Sequence, residues 1–105
     1  MTCELAGFRI QCAGGLQHHH VLSKSTLAGN KRALKYAEAH PALIAEVCAA
    51  HNASSKLADT KEARALLLRK RVAELGEPYM EAVLGGLRAC FRLDRPELRL
   101  SALIG

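Results

Sequence analysis

Hydrophobic and polar positions divide this 105-residue chain into two unlike stretches. From Asn30 onward, apolar residues recur every three or four positions, the spacing that lines one face of a helix. Residues 31–39, "KRALKYAEA", place Ala33, Leu34 and Ala37 on one side. The next segment, "PALIAEVCAAHN" (41–52), reads as a helix with Pro41 in its first turn, where the missing N–H does no harm. His40, preceding that proline, is pushed out of helical geometry. Asp59 and Glu62 have the spacing of a capping box ahead of "TKEARALLLRKRVAEL" (60–75), which should stop near Gly76. Pro78 opens a last helix, "PYMEAVLGGLRACF" (78–91), with Met80, Val83, Leu84 and Leu87 as its core stripe. Gly85-Gly86 either weakens that helix or lets a neighbour approach closely. Residues 94–105 carry no clear pattern.

The first thirty residues lack this periodicity and are rich in Cys, His and Gly. Within them "LQHHHVL" (16–22) is short, β-compatible and preceded by Gly14-Gly15, so it reads as one arm of a hairpin. No internal repeat is present. The expected class is α+β in a single domain over residues 1–105, with a metal-containing hairpin-and-helix module at 1–55 and a helical extension at 56–105.

Composition narrows the chemistry. A chain of this length builds a marginal core unless something cross-links it, and four cysteines offer either disulfides or metal ligands. The start, "MTCELAGFRIQC", has no charged segment leading into an apolar one, so no signal peptide is expected. No run approaches the roughly eighteen apolar residues of a membrane helix. A cytoplasmic location follows as the expectation, and reduced thiols favour metal binding; a disulfide-stapled secreted domain is the alternative. The formal charge of +5 suits a polyanionic partner. Aromatic residues make up only 4%, which argues against stacking on splayed single-stranded bases.

The candidate site residues are Cys3, Cys12, His19, His20, Cys48, His51 and Asn52. If 41–52 is helical, positions 48, 51 and 52 share one face, so Cys48 and His51 can grip one ion while Asn52 points to a neighbouring spot. Cys3 and Cys12 would add two thiolates, giving the closed tetrahedral set of a structural zinc site. Adjacent residues on a strand face opposite ways, so His19 and His20 do not readily hold the same ion. One histidine and Asn52 can hold a hydrated Mg²⁺ or Mn²⁺ against a phosphate oxygen, and the other histidine can take a proton from water. Cys90 reads as core packing, His18 as a flanking contact and His40 as the residue before Pro41. Lys24, Lys31, Arg32 and Lys35 are placed to meet DNA phosphates, whereas Arg69, Lys70 and Arg71 read as a solvated face.

The order C-x8-C-x-G, then His19-His20-Val21, then Cys48-x2-His51-Asn52 resembles the zinc-containing HNH endonucleases, a branch of the ββα-metal fold common in bacteriophages. The resemblance covers roughly residues 3–52. It implies a structural Zn²⁺ on Cys3, Cys12, Cys48 and His51, with His51 standing where the family carries a second cysteine. It also implies a catalytic Mg²⁺ or Mn²⁺ on His19 and Asn52, and His20 as the general base in hydrolysis of DNA phosphodiester bonds. DNA is the implied partner, beside phage packaging machinery in a host cytoplasm, with no membrane and no small-molecule cofactor. The family's middle Asn, which braces the base-bearing loop shortly before the helix cysteine, has no counterpart in "ALIAEV" (42–47); Asn30 is the remaining candidate brace. A zinc-stabilised DNA-binding or packaging accessory module without hydrolysis is the alternative function.

Overall fold

The computed structural model describes residues 2–105. Its chain order is strand β1 (Leu16–His20), helix α1 (Lys31–Ala39), strand β2 (Ile44–Cys48), then helices α2 (Lys61–Leu75), α3 (Glu77–Arg88) and α4 (Leu100–Ile104), with short helical turns at Pro41–Leu43, Ala50–Ser54, Leu57–Asp59 and Pro96–Leu98. The molecule is therefore α+β, with a two-stranded antiparallel sheet and helices packed around it. No helix among the described residues is long and apolar enough to cross a membrane.

The expected strand forms, but not as a hairpin arm: its partner lies beyond α1, in the segment read above as a helix. Register pairs Leu16 with Cys48, Gln17 with Val47, His18 with Glu46, His19 with Ala45 and His20 with Ile44. Residues 41–52 instead make one 3₁₀ turn, then β2, then a single wide turn at Ala50–Ser54. Two β-branched residues, Ile44 and Val47, favour the pleated surface, and "IAEVC" is too short for period 3.6 to be separated from period 2. The unpaired edge of β1 supplies what local propensity leaves open.

Elsewhere the helical pattern holds with shifted ends. Asn30 caps α1 by accepting from the Ala33 N–H at 2.9 Å. Thr60, not Asp59, caps α2, its hydroxyl oxygen accepting from the Ala63 N–H at 3.2 Å, so the Asp59–Glu62 capping box does not form. α2 gives way at Gly76 to α3, which ends at Arg88 rather than continuing to residue 91. The patternless tail turns back as Pro96–Leu98 and α4, burying Leu98, Leu100 and Leu103.

The core collects Leu67 and Leu68 of α2, Met80, Leu84 and Leu87 of α3, and Leu5, Leu22, Leu27 and Leu43 from the segments between. Each fully buried leucine contributes roughly 1.5–3 kcal/mol of burial free energy. Helix α1 joins through the small Ala33 and Ala37 and through Tyr36, whose hydroxyl donates to the Val83 carbonyl at 2.7 Å. That ring crosses α3 at Gly86, where an added Cβ would stand 2.2 Å from the Tyr36 oxygen. His40 stacks on the other end of this arrangement, 3.9 Å from the Tyr36 ring.

The basic run Arg69–Arg71 is not uniformly solvated. Arg71 is buried and bonds Glu4 through both guanidinium ends, at 2.6 and 3.0 Å, and the Ile44 carbonyl at 2.8 Å. Glu4 also accepts from the Glu46 N–H at 2.8 Å, and its own N–H donates to the Glu46 carbonyl at 2.9 Å. The N-terminal segment is thus fastened to β2 by main chain and to α2 by charge. Burial alone would raise the Glu4 carboxyl, but Arg71, the Glu46 N–H and Lys70 outweigh it and hold it below the ordinary value.

Two substitutions on one helix should separate packing from propensity. Gly86→Ala meets Tyr36 and is expected to cost about 1–3 kcal/mol. Gly85→Ala, whose Cβ would meet only the flexible end of Arg88 at 3.7 Å, should be neutral or stabilise by up to ~1 kcal/mol. Urea midpoints measure both. Arg71→Met leaves the half-buried Glu4 without its partner and should cost roughly 1–3 kcal/mol. A midpoint unchanged from wild type would contradict the anchoring role.

Candidate metal centre and the adjoining histidine cleft

Two groups of polar side chains meet at the end of the sheet, on either side of the turn Ala50–Ser54. The first is Cys3, Cys12, Cys48 and His51, whose donor atoms all lie within 4.8 Å of one another. Cys3 arrives on the segment anchored by Glu4, and Cys12 on the loop before β1. That loop closes against the turn through hydrogen bonds from the Ala49 N–H to the Gly15 carbonyl and from the Ala50 N–H to the Ala13 carbonyl, both 3.0 Å. Gly14 makes the approach feasible: its φ is +81°, and a Cβ there would stand 2.8 Å from the Ala49 methyl.

The distances match one tetrahedral ion. Ligands at about 2.3 Å for sulfur and 2.0–2.1 Å for imidazole nitrogen imply an S···N separation of roughly 3.6 Å. His51 Nδ1 lies 3.1 Å from Cys48 Sγ and 3.8 Å from both Cys3 Sγ and Cys12 Sγ. The outer contacts complete the arrangement. His51 Nε2 stands 2.7 Å from the Phe8 carbonyl, which can only accept, so the proton sits on Nε2 and the Nδ1 lone pair faces the sulfurs. Cys3 Sγ accepts from the backbone N–H groups of Leu5 and Cys48, at 3.4 and 3.2 Å. All four cysteines are unbridged.

Crowding gives the sulfurs a reason to bind a cation. Burial and the Cys48 and Cys3 sulfurs push the Cys12 thiol up to about 11. Burial opposes ionisation of Cys48 too, but hydrogen bonds to His51 and to backbone N–H groups bring it down to about 6. His51 rises correspondingly; burial would lower it, and its contacts with Cys48 and the Phe8 carbonyl prevail. A dication held by these four groups would replace their thiol protons.

The second group lies across the turn. Alternation along β1 buries His19 and exposes His18 and His20. A shallow cleft of about 300 Å³ is lined by the three histidines, Ser23, Lys24, Asn52 and Asp59. Among the described residues the buried His19 Nε2 has no hydrogen-bond partner, and Asp59 Oδ1 stands 4.0 Å away. Burial holds His19 below its usual range, against the Asp59 charge and contacts with Asn52 and the Ala58 carbonyl. Asn52 Nδ2 donates to Gln17 Oε1 at 3.0 Å, so Gln17, two residues before His19 on the same strand face, orients the amide and leaves Asn52 Oδ1 as the oxygen not engaged by Gln17.

The remaining predicted residues scatter. Asn30 is engaged as the α1 cap and donates to the Cys90 carbonyl at 3.5 Å; its side chain makes no hydrogen bond to β1, so the bracing role is not realised. His18 pairs across the sheet with Glu46, 3.5 Å away. Lys24 lies at the histidine cleft, whereas Lys31 and Arg32 line a different cleft with Arg92 and Arg95, and Lys35 is exposed on α1. Cys90 packs half-buried against the core. Reading the sequence missed Gln17 and Asp59. Gln17 had a signal in its two-residue spacing from His19, while Asp59 was masked by its resemblance to a helix cap.

Comparison of the chain with protein-family models, with curated proteins and with solved structures finds no match.

One metal equivalent per chain is the expectation for protein purified without chelator, measured by elemental analysis as zinc. Cys48→Ser and His51→Ala should lose it and melt at lower temperature, and Cys90→Ser should keep it. Full zinc retention in Cys48→Ser would contradict the assignment.

Proposed function

We propose that this chain is a metal-dependent endonuclease of the HNH type that hydrolyses DNA phosphodiester bonds, built on a ββα-metal finger stabilised by zinc. The observation that carries the reading is the buried, unpartnered His19 Nε2 opening on a cleft shared with Asn52, His20 and Lys24. In this reading β1, β2 and the turn Ala50–Ser54 are the finger, with α1 inserted between the strands and α2–α4 as the extension. Zn²⁺ would be held by Cys3, Cys12, Cys48 and His51, and Mg²⁺ or Mn²⁺ by His19 and Asn52.

Each side chain then has a defined task. A divalent ion, when bound, offsets charge that develops on the leaving oxygen. His20, exposed on the last position of β1, has the access to water that a general base needs, and its neutral form can take the proton as water attacks phosphorus. Lys24, on the cleft wall, suits a flanking phosphate, and the +5 charge favours the polyanion at longer range. His51 and Asn52 are neighbours on one turn, so the structural centre holds the amide that the reaction uses.

A second reading is favoured by one specific observation: among the described residues no side-chain hydrogen bond braces His20, and Asn30 is committed to capping α1. It makes the chain a zinc-stabilised DNA-binding or phage packaging accessory module without hydrolysis, acting in a host cytoplasm.

Plasmid relaxation with Mg²⁺ or Mn²⁺ distinguishes the two. The nuclease reading expects nicking by wild type and a loss of about 10²-fold or more in His20→Ala, with unchanged zinc content. Salt-sensitive DNA binding without metal-stimulated cleavage would select the accessory module.

A further inference from the structure

The cleft contains one group that neither the histidine pair nor the zinc cluster accounts for. Asp59 ends the short turn Leu57–Asp59, and the next residue, Thr60, performs the capping of α2. The Asp59 carboxylate consequently has no structural task in the helix. Half exposed, it points its Oδ1 toward the buried ring of His19, at 4.0 Å. That span is too long for a hydrogen bond, which needs about 2.7–3.2 Å. It falls within the roughly 3–4.2 Å separating two donors that each stand about 2.1 Å from one ion.

We infer that Asp59 is the third protein ligand of a divalent-cation site whose other ligands are His19 Nε2 and Asn52 Oδ1. The inference deepens the nuclease reading and rests on it for the role of the ion, while the binding site itself stands on three independent features. His19 is only 6% exposed, and a buried imidazole nitrogen without a partner carries an uncompensated desolvation cost. Asn52 has its amide nitrogen tied back to Gln17, which leaves its oxygen free of that bond, and its side chain shares the cleft with His19. The carboxylate of Asp59 adds the anionic oxygen that two neutral donors lack, and hard cations such as Mg²⁺ and Mn²⁺ require oxygen-rich, negatively charged sites. The remaining coordination positions open to the cleft, where water and a phosphate oxygen have access. Three elements supply one ligand each: β1, the turn after β2, and the turn before α2.

A consequence is that the ion should bind before DNA does, because the chain itself provides the negative charge. The test uses the zinc-loaded full chain without nucleic acid. Mn²⁺ is titrated in, and the free ion is followed by its electron paramagnetic resonance signal. Wild type should take up one Mn²⁺ per chain. Asp59→Asn, which keeps size and shape, should bind at least ten-fold more weakly, as should His19→Ala, with zinc content and melting temperature in the absence of Mn²⁺ unchanged for Asp59→Asn. As a second measure, Mn²⁺ should broaden the amide resonances of residues 58–60 in the wild type. Equal Mn²⁺ affinity in wild type and Asp59→Asn, or no broadening at 58–60, overturns the assignment. Absence of DNA cleavage by a chain that binds Mn²⁺ through Asp59 overturns the nuclease reading alone and leaves the site intact.

Discussion

Convergence of Cys3, Cys12, Cys48 and His51 is the constraint on which the rest of the N-terminal half depends. The loop before β1 and the turn Ala50–Ser54 have little regular hydrogen bonding of their own, and the turn is a single wide one of five residues. An isolated turn of that length has no independent stability, because nucleating a helix fixes several dihedrals for each hydrogen bond gained. What holds it is tertiary: the Ala49 and Ala50 N–H groups bond the loop, and His51 is fixed between three sulfurs on one side and the Phe8 carbonyl on the other. A metal bound there adds directly to folding free energy, which suits a chain whose two strands are short.

The C-terminal half works by different physics. Helices α2, α3 and α4 bury leucines and Met80 in a conventional apolar core, and their contribution scales with area removed from water. Beside shared core packing and the Tyr36–Val83 hydrogen bond, a charged clamp joins the halves. Arg71 reaches from α2 to Glu4 and the Ile44 carbonyl, and thereby sets the segment that delivers Cys3. A buried ion pair is a weak source of net stability but a strong source of position, since either partner left alone is costly. Here position is what the cysteine requires.

How much of this was legible in the sequence follows from which forces are local. The α1 helix, the main body of α2 and α3, and the Met80–Leu87 stripe are set by periodicity and by caps within reach of a few residues, and the sequence displays them. The four cluster residues were legible because thiols and imidazole have few alternative uses at such spacing. The strand at Ile44–Cys48 was not, because its conformation is decided by pairing with β1 across more than twenty intervening residues. Arg71 looked like its neighbours Arg69 and Lys70, since nothing local marks which cation in a run will find a half-buried carboxylate. Asp59 was read as a cap for the opposite reason. Two residues at the head of α2, Asp59 and Thr60, could each serve, and only the three-dimensional path shows which one does.

His51 and Asn52 are consecutive residues on one turn yet face different neighbourhoods, the first toward sulfur and the second toward Gln17. Were a soft metal held by the cysteines, a reagent that stripped it would release that turn and, with it, the amide on the far side. For the proposed nuclease, inhibition by a strong chelator would therefore not by itself identify the ion used, since loss of architecture and loss of a reactive centre look alike in a turnover assay. Sequential removal is the discriminating manipulation: a weak hard-ion chelator first, with zinc content monitored, and a thiophilic one second.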